Sequence, residues 1–266
     1  MVDLIAMRED SKIKITENIF QFSLQDDIKI FQDKVQALCG DFLILACASL
    51  YAELKVDMFF LNLCRCSENW RRFLQLSRQH YHQEPTLHYN TPILAGLITQ
   101  YTPLLQELKS TLPTQWQKGL EYQDQFHSTW LWLLLSLNGC KLDSDVQYHL
   151  NELEKSGTAP SHTLMFKALL KLDNLNAKDF MDELLVLAYG YDEKIQQQID
   201  DNAYILTFLP HKCFWFEGIV WLKLAKKIDY IQNDEQHSFK YCPDEVFDDM
   251  KVPYTGDWTI FADAAI

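Results

Sequence analysis

From residue 23 onward, apolar side chains return every three or four positions, and no stretch alternates apolar with polar for the length of a strand. That spacing lines one side of a 3.6-residue helix, whereas a half-buried strand needs strict alternation. The chain is therefore predicted to be all-α, a compact bundle of stacked antiparallel helix pairs. Ile28, Phe31, Val35 and Leu38 define a first clear helix, with Asp26 and Asp27 at its start and Gly40 just past its end. Residues 1–20 read as either a short helix or an extended arm. Residues 41–66 form a broad apolar stripe and are expected to be one central helix. Ser67 is the expected cap of the next, which runs to about Tyr81 and is stopped by Pro85.

Punctuation is sharper further along. Thr91-Pro92 and Thr102-Pro103 place proline where a helix tolerates it, at its first position, so two short helices or one kinked helix follow. A very apolar helix over residues 123–137 should end at Asn138-Gly139 in a left-handed cap. Asp143 or Ser144 opens a helix that closes at Ser156-Gly157, Pro160 opens another, and Asn176 caps one ending near Gly190. A polar helix over 192–201 and a strongly apolar one over 211–228 complete the series. No self-similarity survives at the roughly 34- or 40-residue periods of helical solenoids, so a regular repeat is not expected. With 266 residues, 48% of them hydrophobic, the chain can bury a large core. We divide it into an N-terminal helical region, 1–115, and a C-terminal one, 116–266, packed as one unit.

Charge narrows the choice of partners. The chain has 24 Lys and Arg against 37 Asp and Glu, a net charge of −13. Such a chain repels phosphate backbones and attracts basic surfaces, so nucleic acid is not an expected partner. Residues 229–266 hold nine acids and two lysines, a local −7 interleaved with aromatics such as Tyr241, Phe247 and Trp258. Asp244, Glu245, Asp248 and Asp249 follow Cys242-Pro243. The i, i+4 spacing pairs like charges there on a helix face, at a cost of about 0.2–0.5 kcal/mol per pair. A docked basic surface would offset that cost. The adjacent acids Asp192/Glu193 and Asp200/Asp201 read instead as solvated helix faces. The N-terminus has no apolar signal region, and the most apolar run, residues 130–137, is too short to span a bilayer. Seven cysteines set mostly in apolar runs suggest a reducing compartment. A cytoplasmic location with no membrane association is expected.

Chemistry-bearing motifs are sparse. His80-x-His82, with Glu84, His88 and Cys64-x-Cys66, supplies zinc-ligand residue types. On a helix His80 and His82 would point about 200° apart, so polar residues at a helix end are the better reading. The glycines never fall at phosphate-loop spacing, and neither a Gly-x-Ser-x-Gly elbow nor a His-Glu-x-x-His pair occurs. Trp130, Trp132, Trp215 and Trp221 sit at helical spacing among leucines and read as core. Glu217, inside the run Phe214-Trp215-Phe216-Glu217-Gly218-Ile219, needs a partner if it is buried. No catalytic residue, metal or cofactor is assigned.

Two stretches together resemble a known family. Residues 122–126 leading into Trp130-Leu131-Trp132-Leu133-Leu134-Leu135-Ser136-Leu137 are similar to the central helix of PoNi-like immunity proteins. Phe214-Trp215-Phe216-Glu217 through Lys223-Leu224 resembles a second helix of that family, and Tyr241-Cys242-Pro243-Asp244 follows at a suitable distance. Arg8-Glu9-Asp10 echoes its opening. Gly218, Ile219 and Val220 replace the family's small residues, and Ile228-Asp229 matches only the start of its next motif. The resemblance covers about residues 120–250. It implies an all-helical protein that neutralises a secreted antibacterial toxin, a nuclease in the family's usual case, by covering its basic active site.

The expected function is therefore toxin binding, without catalysis. The partner contacts are expected among Asp229, Asp234, Glu235, Asp244, Glu245, Asp248 and Asp249. The alternative is a helical scaffold or adaptor with a peptide groove, which predicts a curved, regular superhelix. An enzyme with a Cys/His or carboxylate site is a third reading and predicts one deep pocket of perturbed titratable groups.

Overall fold

A computed structural model describes residues 3–201, 205–231 and 239–261. Among these residues there are eleven α-helices and no strand. In order they are α1 (Leu4–Asn18), α2 (Ile28–Tyr51), α3 (Val56–Gln79), α4 (Thr91–Thr99), α5 (Thr102–Thr111) and α6 (Gln123–Asn138). Then follow α7 (Ser144–Ser156), α8 (Pro160–Leu169), α9 (Ala177–Asp200), α10 (Ile205–Cys213) and α11 (Phe216–Lys227). Among the described residues after α11, a 3-10 turn, Asp244–Phe247, is the one helical element.

Several boundaries fall where local chemistry places them. Asp143 accepts from the Val146 N–H at the start of α7, and Asn176 and Asp179 form a reciprocal capping box on α9. Gly139 and Gly157 close α6 and α7 with φ of 69° and 65°, conformations that a Cβ disfavours. Gln100, at φ 51°, separates α4 from α5, so the proline pair opens two helices. The N-terminal arm is helical, capped by Asp3.

Five expectations are corrected. Gly40 does not end a helix: α2 runs through it to Tyr51. The predicted helix over 41–66 is instead broken at residues 52–55, where Leu54 adopts φ 54° without being glycine. α2 is apolar around much of its circumference and α3 carries a strong apolar face, and folding back lets each bury the other. Ser67 is no cap. It lies mid-way along α3, fully buried, and its hydroxyl fills the space that a Cβ on Gly96 of α4 would need. At the other end, residues 177–200 form one helix, while the apolar run over 211–228 is two, broken at Phe214 and Trp215. The Trp215 N–H bonds to the Tyr241 carbonyl, and its indole lies where a Cβ on Gly218 would come within 2.0 Å. That contact explains why glycine stands at 218.

The antiparallel hairpin of α2 and α3 is the centre. α1 covers α2, α4 and α5 cover α3, α6 pairs with α7, and α8 with α9. α10 returns to α2, and α11 wedges against α4 and α6. One hydrophobic core runs through both regions and includes Phe42, Trp70, Leu97, Trp132, Phe166 and Trp221. The tryptophans predicted to be core are buried. By length and composition α2, and not residues 130–137, is the one candidate membrane span among the described residues; 67% of its most apolar window is buried in the bundle. All seven cysteines are free thiols.

Candidate functional site

The segment after α11 is held by α11 itself. Val246 is fully buried and anchors the 3-10 turn, so Asp244 and Glu245 project into solvent. Asp248 and Asp249 are also exposed, but the backbone at Asp248 is extended, φ −68° and ψ 155°. The expected helix is thus absent here, and with it the i, i+4 pairing of these carboxylates. Asp229 is exposed just past α11 with φ 60°, while Asp234 and Glu235 lie outside the described residues. None of the five described acids forms an ion pair among the described residues. Three lysines approach the turn from beneath. Lys223 Nζ donates to the Asp248 carbonyl at 3.1 Å and Lys226 Nζ to that of Phe247 at 3.4 Å, while Lys227 Nζ donates to Ser136 O and Gln100 Oε1. They line a recess of about 310 Å³ together with Asp248 and Asp249. Burial pulls Lys223 down to about 7. The four tail acids therefore differ: Asp248 and Asp249 face lysines of their own chain, and Asp244 and Glu245 face outward.

The structure adds a surface that the sequence reading missed. α9 buries only Phe180, Leu184 and Ile195 among its 24 residues. Its outer side exposes Leu185, Val186 and Tyr189 to 43%, 60% and 72%. Those residues occupy neighbouring positions on successive turns, and the exposed Asp182 and Glu193 flank them. The same helix is tied to the tail. Asp192 accepts from Lys240 Nζ at 2.7 Å and from Tyr241 Oη at 2.6 Å, and the ring of Tyr191 meets that of Tyr241 edge-on. The hydrogen bond from Lys240, followed by that from Tyr241, holds Asp192 below its usual range. An apolar strip thus lies exposed between Asp182 and Glu193 on a helix that Asp192 ties to Lys240 and Tyr241, three residues before Asp244. Leucine, valine and tyrosine at this spacing look like any core stripe, so no sequence signal distinguished it.

Glu217 has its partner. His162 Nε2 of α8 lies 2.6 Å from Glu217 Oε1, and Ser128 Oγ of α6 lies 3.3 Å from His162 Nδ1. Trp132 and Trp221 wall the pair, with ring centroids 5.6 and 5.8 Å from the imidazole. Burial opposes the imidazolium, but the charge of Glu217 and its hydrogen bond, with a further contribution from Asp124, together outweigh it and His162 is raised. Burial likewise opposes the carboxylate, yet His162 and the Trp221 indole hold Glu217 below its ordinary value. The order serine, histidine, carboxylate resembles a hydrolytic triad, but Ser128 is completely buried within a helix and is not offered to a substrate. A second pair, His127 and His149, faces Nδ1 to Nδ1 at 2.9 Å, an arrangement that needs one donor and one acceptor. Burial pulls both down, His149 to about 3.

The zinc-type residues do not converge. His80 Nε2 meets the Leu24 carbonyl, His88 bonds to Thr86, and no three potential ligands gather among the described residues. Comparison of the chain with protein-family models, with curated proteins and with solved structures finds no match in any of the three.

Proposed function

We propose that this chain is an immunity protein that binds a basic antibacterial toxin, a nuclease in the first instance, and occludes its active site. The observation that carries the reading is the outer side of α9, where Leu185, Val186 and Tyr189 stand exposed between Asp182 and Glu193, on a helix tied through Asp192 to the segment that carries the exposed Asp244 and Glu245. An apolar centre with a charged rim is the anatomy of a specific interface, and single-sign charge steers an oppositely charged partner toward it. The contacts assigned to the tail acids therefore extend onto α9, with Tyr189 as an aromatic anchor. Inhibition would take place in the cytoplasm of the cell that makes the chain. The scaffold alternative expects an open, regular superhelix. It is less well supported, because α10 returns to α2 and α11 to α4, closing the bundle.

The test is growth rescue by co-expression with toxins encoded in the genomic neighbourhood, followed by a binding assay across a salt series. Rescue, with association slowing as salt rises, is expected. Tyr189→Ala combined with Asp244→Asn and Glu245→Gln should weaken binding at least about tenfold while leaving stability within about 0.5 kcal/mol. Failure of every neighbouring toxin to bind would overturn the reading.

A further inference from the structure

On the N-terminal half lies a cleft of about 380 Å³, opening between α1, α2, α3 and Trp258. It is within the size range of small-molecule sites. Its floor is apolar, formed by Ile15, Phe42, Leu45 and Met58. One wall carries polar side chains that are themselves buried: Ser49, Asn62 and Arg65. Asn62 Nδ2 donates to Ser49 Oγ at 3.3 Å, so the Ser49 hydroxyl keeps its own hydrogen to offer to the cleft. Arg65 spends its donors on Asp257 and on Asn62 Oδ1, which fixes the wall.

The rim is where this acidic chain turns basic. Arg8, Lys12, Lys55 and Arg65 line the cleft, against Glu53 in its lining and Glu9 and Asp257 behind. Four cations meet three acids there, although over the whole chain acids outnumber bases 37 to 24. Arg8 is paired with Glu53 and Glu9. The two lysines are held loosely: Lys12 is 3.4 Å from Glu9 and Lys55 is 3.4 Å from Glu53, and their side chains are 52% and 59% exposed. Trp258 completes the mouth. Its backbone sits at φ 57°, a costly conformation for a tryptophan, and is clamped by Asn69, which donates to the Trp258 carbonyl and accepts from the Ile260 N–H. Trp258 stays 43% exposed at the edge of the cavity, whereas Trp70, Trp130, Trp132, Trp215 and Trp221 are buried in the core. The Asn69 clamp thus fixes an aromatic side chain at the opening.

We propose that this cleft binds a small amphipathic anion, with an apolar body on the Phe42, Leu45 and Met58 floor and a carboxylate-type head between Lys12 and Lys55. A body of about ten carbons suits the volume. A neutral body alone would leave the lysines without a new partner, and a cationic head would meet like charge at the rim. This site is separate from the α9 face and does not depend on toxin binding.

The experiment is calorimetric titration of the full chain with decanoate, and with decanol and decylammonium as charge controls. Decanoate should bind at one equivalent, at least about tenfold more tightly than decanol, and decylammonium should not bind. Lys12→Glu combined with Lys55→Glu lies on exposed side chains, leaves the fold intact, and should weaken decanoate at least about tenfold. Met58→Trp, at the half-buried edge of the floor, should block it. Absence of decanoate binding, equal affinity for decanol, or decanoate binding unchanged by either variant would overturn the proposal.

Discussion

Replacing Glu217 by Gln keeps the shape of the side chain and removes the charge that His162 Nε2 meets at 2.6 Å. Breaking a fully buried ion pair costs about 3–5 kcal/mol, because a charge is left desolvated. Here the side chains of His162 and Glu217 retain 20% and 29% exposure, and His162 can shed its proton. The expected loss is therefore about 1–3 kcal/mol. With a urea m-value of about 3 kcal/mol/M, the unfolding midpoint should fall by about 0.3–1 M. The pH dependence is the sharper test. His162 is raised above its ordinary 6.5, so its contribution is complete below about 6.5 and fades as pH rises through the folded value. Glu217 is lowered below its ordinary 4.5, so its contribution is complete above about 4.5 and fades as pH falls through the folded value. The penalty of Glu217→Gln should be greatest between those two values and smaller on either side. Other histidines also titrate, so the difference between wild type and variant is the diagnostic quantity. In a double-mutant cycle with His162→Gln, the combined loss should fall short of the sum by about 1 kcal/mol. A penalty as large at pH of about 9 as at about 5.5, or strictly additive losses, would refute the pairing.

Three further outcomes are expected. Burial depresses His149 to about 3 and His211 to about 4, so the unfolded chain takes up protons first and stability should fall as pH drops below about 6.5; His149→Phe should flatten that slope in urea midpoints measured across the range. Cys213, half-buried and lowered because the Cys47 thiol bonds to it, should be the first cysteine alkylated by iodoacetamide near neutral pH, ahead of Cys140, which burial raises to about 11; peptide mapping that finds Cys140 first would contradict this. Gly218→Ala drives a methyl into the Trp215 ring and should cost about 1–3 kcal/mol or more in thermal or urea unfolding, while alanine at Gly40, with open space around it, should be tolerated.

Where helix ends are set by a residue's own backbone preference, the sequence was readable. Pro92, Pro103, Gly139, Gly157 and Asn176 each marked a boundary that the fold keeps. The breaks it hid are set by distant packing. Leu54 takes a left-handed backbone so that α3 can fold back on α2, and Trp215 leaves the helix to bond Tyr241. Neither leucine nor tryptophan announces such a role. The candidate site divides the same way. Exposure of Asp244, Glu245, Asp248 and Asp249 followed from their charge, but the lysines beneath two of them come from α11. The partner of Glu217 stands on another helix, at His162, and the strip on α9 became visible only when its neighbours were seen not to cover it.

The clamp around Trp258 bears on how the chain is made. Asp257 and Ile260 complete the environment of Arg65 and Asn69, groups about 190 positions earlier on α3. The central hairpin can pair as soon as it is synthesised, yet on the buried face of α3 the Arg65 guanidinium and the Asn69 carboxamide keep only their partners within α3 until residue 260 has cleared the ribosome. Such distant closure is unusual for a helical protein and slows its final step relative to a bundle of local contacts. Throughout that interval the nascent chain offers open apolar surface, so its yield should depend on chaperone supply more steeply than helix content alone would suggest.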